Sequence, residues 1–124
     1  MGIYYCTDHK YSIGDIIVPF HWNNLIKTLP IGNINVLLEC ALEFSRQAIN
    51  NGSVSRLECV FGFTDSTSAE NFAGEAKNIY ELKISNNKTP ISFHNYKIIS
   101  YFLGQLEIKP INFLEEKQLF IDYW

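Results

Sequence analysis

Between Asn33 and Asn51 the chain carries one long stripe at helical spacing, formed by Ile34, Leu37, Leu38, Ala41, Leu42, Ser45, Ala48 and Ile49. Asn33 is placed to cap its start and Gly52 to close its end. Glu39, Glu43, Arg46 and Gln47 fall on the wetter side, where Glu43 with Arg46 or Gln47 makes an ordinary solvated pair. A stripe of this length must be covered by other elements. In 124 residues there is room for one core, so residues 1–124 are expected to form a single domain.

The covering elements are readable on either side. Ile3–Thr7 is short and aromatic, the pattern of a first strand. Tyr11–Pro19 reads as a turn at Gly14-Asp15 followed by a short extended stretch, Ile16-Ile17-Val18, stopped by Pro19. Phe20–Gly32 has no sustained period and is expected to be a partly ordered loop. Leu57–Phe63 is almost continuously apolar, as in a strand buried on both faces. Its lone Gly62 marks a bulge or a close backbone approach. Thr67 with Glu70 fits a capping box, opening a short helix through Ala69, Phe72, Ala73 and Ala76. Ile79–Ile84 alternates, with Tyr80, Leu82 and Ile84 on one face and Glu81 and Lys83 on the other. Asn86-Asn87-Lys88 is a turn. Ile98, Ile99, Phe102, Leu103 and Leu106 predict another helix, and Asn112–Trp124 a terminal one with Leu119, Phe120 and Tyr123 inward. The fold class is α+β.

Composition narrows the function classes. Aromatics reach 15% while charged residues reach only 19%, and 10 Lys+Arg against 13 Asp+Glu leave a net charge of −3. That balance argues against an electrostatically driven nucleic-acid grip, which needs a basic stripe. No apolar run is long enough to span a bilayer, and the first residues carry no basic or apolar leader, so no membrane role and a cytoplasmic location are expected. Secretion without a leader would leave no mark in such a sequence.

Few residues form a recognisable chemical constellation. His9, His21 and His94 are scattered without metal-ligand spacing, so no metal is expected. Cys6, Cys40 and Cys59 are an odd number without a CxxC motif, and each lies among apolar residues as a buried, inert thiol would. A cysteine-dependent enzyme built on Cys6 or Cys59 has no local signature. Arg56 stands at a strand entrance, where it can grip a phosphate with both arms of its guanidinium or pair with a carboxylate at the surface.

Tyr4-Tyr5-Cys6-Thr7, Gly14-Asp15-Ile16-Ile17-Val18-Pro19, Ser55-Arg56-Leu57, Val60-Phe61-Gly62-Phe63, Ala69 with Phe72, and Ile79-Tyr80-Glu81-Leu82 follow one another over residues 3–84, and Tyr123-Trp124 closes the chain. This series resembles a family of small, uncharacterised bacterial proteins related to the ADP-ribosyltransferase superfamily, close in pattern to the rifamycin ADP-ribosyltransferases. The resemblance implies two small, mostly antiparallel sheets around a cleft with flanking helices. It further implies NAD as substrate and an acceptor of unknown class, whether protein, nucleic acid or small molecule. Carried across, the first-strand motif falls on Tyr4, Tyr5 and Thr7 as cofactor-binding residues, with Tyr5 where the family has His and Cys6 where it has Gly. The nicotinamide-stacking aromatic falls on Phe61 and the acid on Glu81 or Glu107, with Arg56 as a cofactor-binding residue on the same expected cleft. Ser66-Thr67-Ser68 imitates the Ser-Thr-Ser of arginine-specific relatives, but it precedes a helix and capping is the better explanation. The reaction would pass through an oxocarbenium-like state, in which positioning and electrostatics outweigh nucleophile strength. Two departures at the first-strand motif keep a second reading beside the transferase: a catalytically degenerate member acting as a nucleotide- or protein-binding module.

Overall fold

The computed structural model describes residues 2–74, 77–84, 88–107 and 112–124. Among these residues five helices and one two-stranded antiparallel sheet follow one another as β1 (Ile3–Thr7), α1 (His21–Ile26), α2 (Ile34–Ile49), a 3-10 turn (Arg56–Glu58), α3 (Ser66–Ala73), β2 (Asn78–Leu82), α4 (Tyr96–Leu106) and α5 (Lys117–Tyr123). The α+β class holds. By internal packing the chain divides into two compact units, each drawn from two stretches of sequence. The first comprises Met1–Pro19 and Val60–Thr89, the second Phe20–Cys59 and Pro90–Trp124.

In the first unit β1 pairs with β2, Ile3 opposite Leu82 through Thr7 opposite Asn78. Tyr4 exchanges two 2.8 Å backbone bonds with Phe63 on the other side of β1. Between these contacts the backbone of Gly62 lies against β1. A Cβ there would come within 2.5 Å of Ile3 Cγ2 and 3.3 Å of the Tyr4 carbonyl oxygen, so the close approach expected of Gly62 is present. The α3 helix packs on the sheet through Ala69 and Ala73, both buried. Its N-cap is Asp65, which accepts from the Ser68 N–H at 2.7 Å and from its hydroxyl at 2.8 Å. The cap thus sits ahead of the expected Thr67–Glu70 box, because a carboxylate satisfies the first-turn donors better than a hydroxyl. Ala76 and the Asn86-Asn87 turn lie outside the described residues.

In the second unit α2 is capped by Asn33, whose side chain accepts from the Asn35 N–H at 2.9 Å. Leu38 and Leu42 of α2, Ile98, Ile99 and Phe102 of α4, and Phe120 and Tyr123 of α5 close one core. Phe102 stacks on Phe120 at 4.9 Å and meets Phe113 edge-on at 6.0 Å, the geometry that ring quadrupoles favour.

Five local expectations are corrected. Leu57–Phe63 is not a strand: the Ser55 hydroxyl accepts from the Leu57 N–H at 3.3 Å and winds the chain into the 3-10 turn, leaving only Phe63 in a β-bridge. Phe20–Gly32 contains the short helix α1, which begins from Phe20 in the left-handed region (φ 78°) with no capping side chain. The indole N–H of Trp22 in that helix is buried, with no hydrogen-bond partner among the described residues. The α2 helix ends at Asn50 rather than on Gly52, where Arg46 reaches forward to donate to the Asn51 and Ser53 carbonyls, each at 3.1 Å. Leu37 and Ile49 of the α2 stripe are exposed, while Val36 and Glu39 are buried. The terminal helix begins only at Lys117, after turns.

Candidate functional site

Alternation along β1 and β2 sorts the first-unit candidates onto two faces. Cross-strand partners share a face, so Tyr5, Thr7, Tyr80 and Leu82 project one way, and Tyr4, Cys6, Ile79 and Glu81 the other.

The Tyr5 face carries a polar aromatic cluster. Residues 8–11 fold back over it: the His9 N–H donates to Thr7 Oγ1 at 3.1 Å, and the Tyr11 N–H donates to the Tyr80 hydroxyl at 2.8 Å. The Tyr11 ring lies 6.4 Å from that of Tyr5, 5.7 Å edge-on from Tyr80 and 4.5 Å from the exposed imidazole of His9. Desolvation, followed by the neighbouring Tyr5 phenol, raises the Tyr11 pKa above the ordinary phenol value. The cluster presents hydroxyls and ring faces, a surface suited to stacking a planar ring and hydrogen-bonding sugar hydroxyls.

The opposite face is less available for chemistry. The Cys6 thiol donates to the Ala69 carbonyl at 3.3 Å, and desolvation raises its pKa more than Lys77 lowers it. A protonated, hydrogen-bonded thiol is a poor nucleophile. Glu81 lies directly across from Tyr4 and is exposed, so the candidate acid on β2 neighbours Tyr4 and emerges on the face away from Tyr5. Phe61 is half-buried and outside any strand, so it does not stand on a second-strand face as expected.

Arg56 and Glu107 belong to the second unit. Glu107 caps the C-terminus of α4 and is exposed. Arg56 donates through Nε and Nη2 to the Glu39 carboxylate at 2.8–3.1 Å and through Nη1 to the Tyr123 hydroxyl at 2.8 Å. Its guanidinium also lies 5.8 Å from the centre of the Tyr123 ring. Burial alone would lower the Arg56 pKa, but the bonds and charge of Glu39 outweigh it and hold the group above its ordinary value. Glu39, expected on the wetter side, is 3% exposed; the arginine arriving from beyond the helix is what permits its burial. Arg56 thus binds an internal carboxylate, in a buried rather than a surface pair.

Around this pair the remaining polar groups are locked. Burial pushes the Cys59 thiol up to about 11, and Arg56 opposes the shift only in part. Burial also raises the Tyr123 phenol, against the opposing influence of Arg56. His94 stacks on Tyr123 at 4.7 Å, with Nδ1 2.6 Å from the Tyr123 carbonyl oxygen and Nε2 2.9 Å from Ser92 Oγ. A carbonyl only accepts, so Nδ1 carries the proton. The Trp124 indole N–H donates to Ser45 Oγ at 3.0 Å. Tyr123-Trp124 is therefore an anchor for the second-unit core.

Of the cysteines, Cys40 is exposed on α2, contrary to the buried expectation, whereas Cys6 and Cys59 are partly buried and bonded to carbonyls. No group of three metal-ligating side chains occurs among the described residues. No described helix is long and apolar enough to cross a membrane. The sequence reading missed His9, Tyr11 and Tyr80 as companions of Tyr5. The signal for Tyr80 was its place opposite Tyr5 once the strands are paired; His9 and Tyr11 lie in an irregular segment without one. Comparison with family models, curated proteins and solved structures returned no match.

Proposed function

We propose that this chain is a nucleotide-binding module of ADP-ribosyltransferase-like pattern, taking NAD or a nucleotide with the same planar ring and ribose hydroxyls onto the Tyr5–Tyr80 face. The observation that carries the reading is the convergence of Tyr5, His9, Tyr11 and Tyr80 on one side of the two-stranded sheet. Tyr5 stands where the resemblance puts a ribose-binding histidine, and its phenol and that of Tyr80 can each donate to a ribose oxygen. The ring faces of Tyr11 and His9 supply the stacking partner that Phe61 was expected to provide. Arg56 contributes to holding Glu39, so phosphate recognition in this reading falls to other groups.

Binding without turnover is favoured by the strand alternation. Stabilising an oxocarbenium-like state needs a carboxylate close to the bound ribose, and Glu81 emerges on the face away from Tyr5. The transferase reading keeps one point in its favour, the direct cross-strand placement of Glu81 beside Tyr4.

Titration calorimetry with NAD, ADP-ribose and nicotinamide tests both readings. NAD is expected to bind the wild-type chain, with affinity reduced roughly tenfold in Tyr5→Ala and in Tyr80→Ala for the loss of a hydrogen bond and a ring contact. No nicotinamide should be released. Absence of binding at millimolar NAD rejects the module. Nicotinamide release that Glu81→Gln abolishes would establish the transferase instead.

A further inference from the structure

The outer edge of β2 is open. Tyr4 directs both its N–H and its C=O to Phe63, so Ile3, Tyr5 and Thr7 are the β1 residues that bond to β2. Their partners Leu82, Tyr80 and Asn78 bond back. Ile79 and Glu81 therefore turn their backbone groups away from β1, and no strand pairs with them among the described residues. At the end of the ribbon where Ile3 pairs with Leu82 lies an open depression of about 480 Å³ lined by Ile3, Glu81, Leu82, Lys83 and Ile84.

The side chains along the edge are complementary to themselves. Natural edge strands often carry charges that repel another strand, but here Glu81 and Lys83 are of opposite sign, two positions apart and both exposed. Antiparallel pairing about a two-fold axis at Leu82 sets Glu81 of each copy opposite Lys83 of the other, twice. Both residues have the parity whose backbone groups point outward, so four ladder bonds form with the two charge pairs. On the other face Leu82 meets Leu82, and Tyr80 meets Ile84, which is 43% exposed in the single chain. Moving the axis by one residue either way sets Glu81 against Glu81 or Lys83 against Lys83. The charge pattern thus selects one register.

We infer that a second copy of this chain docks along Glu81–Ile84, giving a four-stranded sheet in the order β1–β2–β2–β1 with an isologous two-fold interface. The pairing extends β2 by two residues. An interface built on one short strand from each copy falls below the size of a standard stable complex, so the dimer is weak and concentration-dependent.

Sedimentation equilibrium on the full chain from micromolar to millimolar concentration tests this. Wild type is expected to dimerise reversibly. Glu81→Lys and Lys83→Glu each turn two attractive pairs into repulsive ones and should weaken association roughly tenfold. Both side chains are exposed, so both variants should keep the wild-type circular dichroism. Mixing the two variants restores opposite charges at every cross-strand position, and the mixed dimer should form more tightly than either variant alone. A wild-type chain that stays monomeric at millimolar concentration overturns the inference. So does a dimer indifferent to both substitutions, or a mixture no tighter than its components.

Discussion

The two compact units stabilise themselves differently. The second buries Leu38, Leu42 and Phe102 almost completely and surrounds them with stacked rings. In the first, the buried apolar residues among those described are two alanines, Ala69 and Ala73, and its larger rings are only partly covered. Apolar area removed from water is the main favourable contribution to folding. By that measure the second unit carries a core, while the first is a two-stranded ribbon and one helix, an arrangement close to the lower limit of independent stability. Its cohesion comes from the β1–β2 ladder, the Tyr4–Phe63 bridge and the ring contacts on its surface. A ring that packs incompletely against its own unit is available to something else.

The largest expected effect falls on Phe102. Phe102→Ala should cost about 3–5 kcal/mol, as for other fully buried phenylalanines. Both tryptophans, Trp22 and Trp124, lie in the second unit, so their fluorescence during urea unfolding reads that unit. The matching change in the first unit, Phe72→Ala, removes a ring that is 43% exposed and packs on Phe63 at 5.2 Å, and should cost about 1 kcal/mol. Equal losses would break the contrast between a cored and an uncored unit.

A somewhat smaller loss, about 3 kcal/mol, is expected from Glu39→Gln, which leaves the Arg56 guanidinium buried without its counter-charge. Replacing both partners, Glu39→Leu with Arg56→Met, should recover most of that loss, since no unpaired charge remains. A double variant as unstable as the single one would mean the pair contributes more than mutual neutralisation.

The smallest effect is a pH dependence confined to the second unit. The bond from Arg46, supported by Ser55, holds the Glu43 carboxyl below the usual carboxylate range, despite an opposing desolvation. A lowered folded-state pKa contributes stability that is complete above the unfolded value, about 4, and is lost as pH falls through the folded value. Glu43→Gln should therefore flatten the acid limb of the urea midpoint measured by tryptophan fluorescence. An unchanged limb would show that Glu43 is not the group linking protons to stability there.

How much of this was legible from the residues varies with the range of the determining contact. The long helix, its Asn33 cap, both strands and the Phe102 helix follow from periodicity and capping within a few neighbouring positions. Leu57–Phe63 departs from the strand expected of it because an almost continuous apolar run carries no period of its own. What decided its shape was the Ser55 hydroxyl and the approach of Gly62 to Ile3. The α1 helix is too short to show a stripe and starts from a left-handed phenylalanine instead of a capping residue. Glu39 looked like solvent-facing charge because the arginine that buries it comes from outside the helix. The Tyr5 cluster had one visible half: strand alternation pairs Tyr5 with Tyr80, but the fold-back that brings His9 and Tyr11 over them depends on backbone bonds to side chains at both ends.

The pairing of Ile3–Thr7 with Asn78–Leu82 has a consequence on the ribosome. The second strand is made only after α1, α2 and α3, which separate it from the first. At ordinary elongation rates β1 waits several seconds with its aromatic residues and backbone donors unmatched, while the α2 segment has already been synthesised and can begin to coil. The nascent chain is thus vulnerable at β1, and a chaperone that shields Ile3–Thr7 until Asn78–Leu82 emerges should raise the yield of folded protein more than one acting after release.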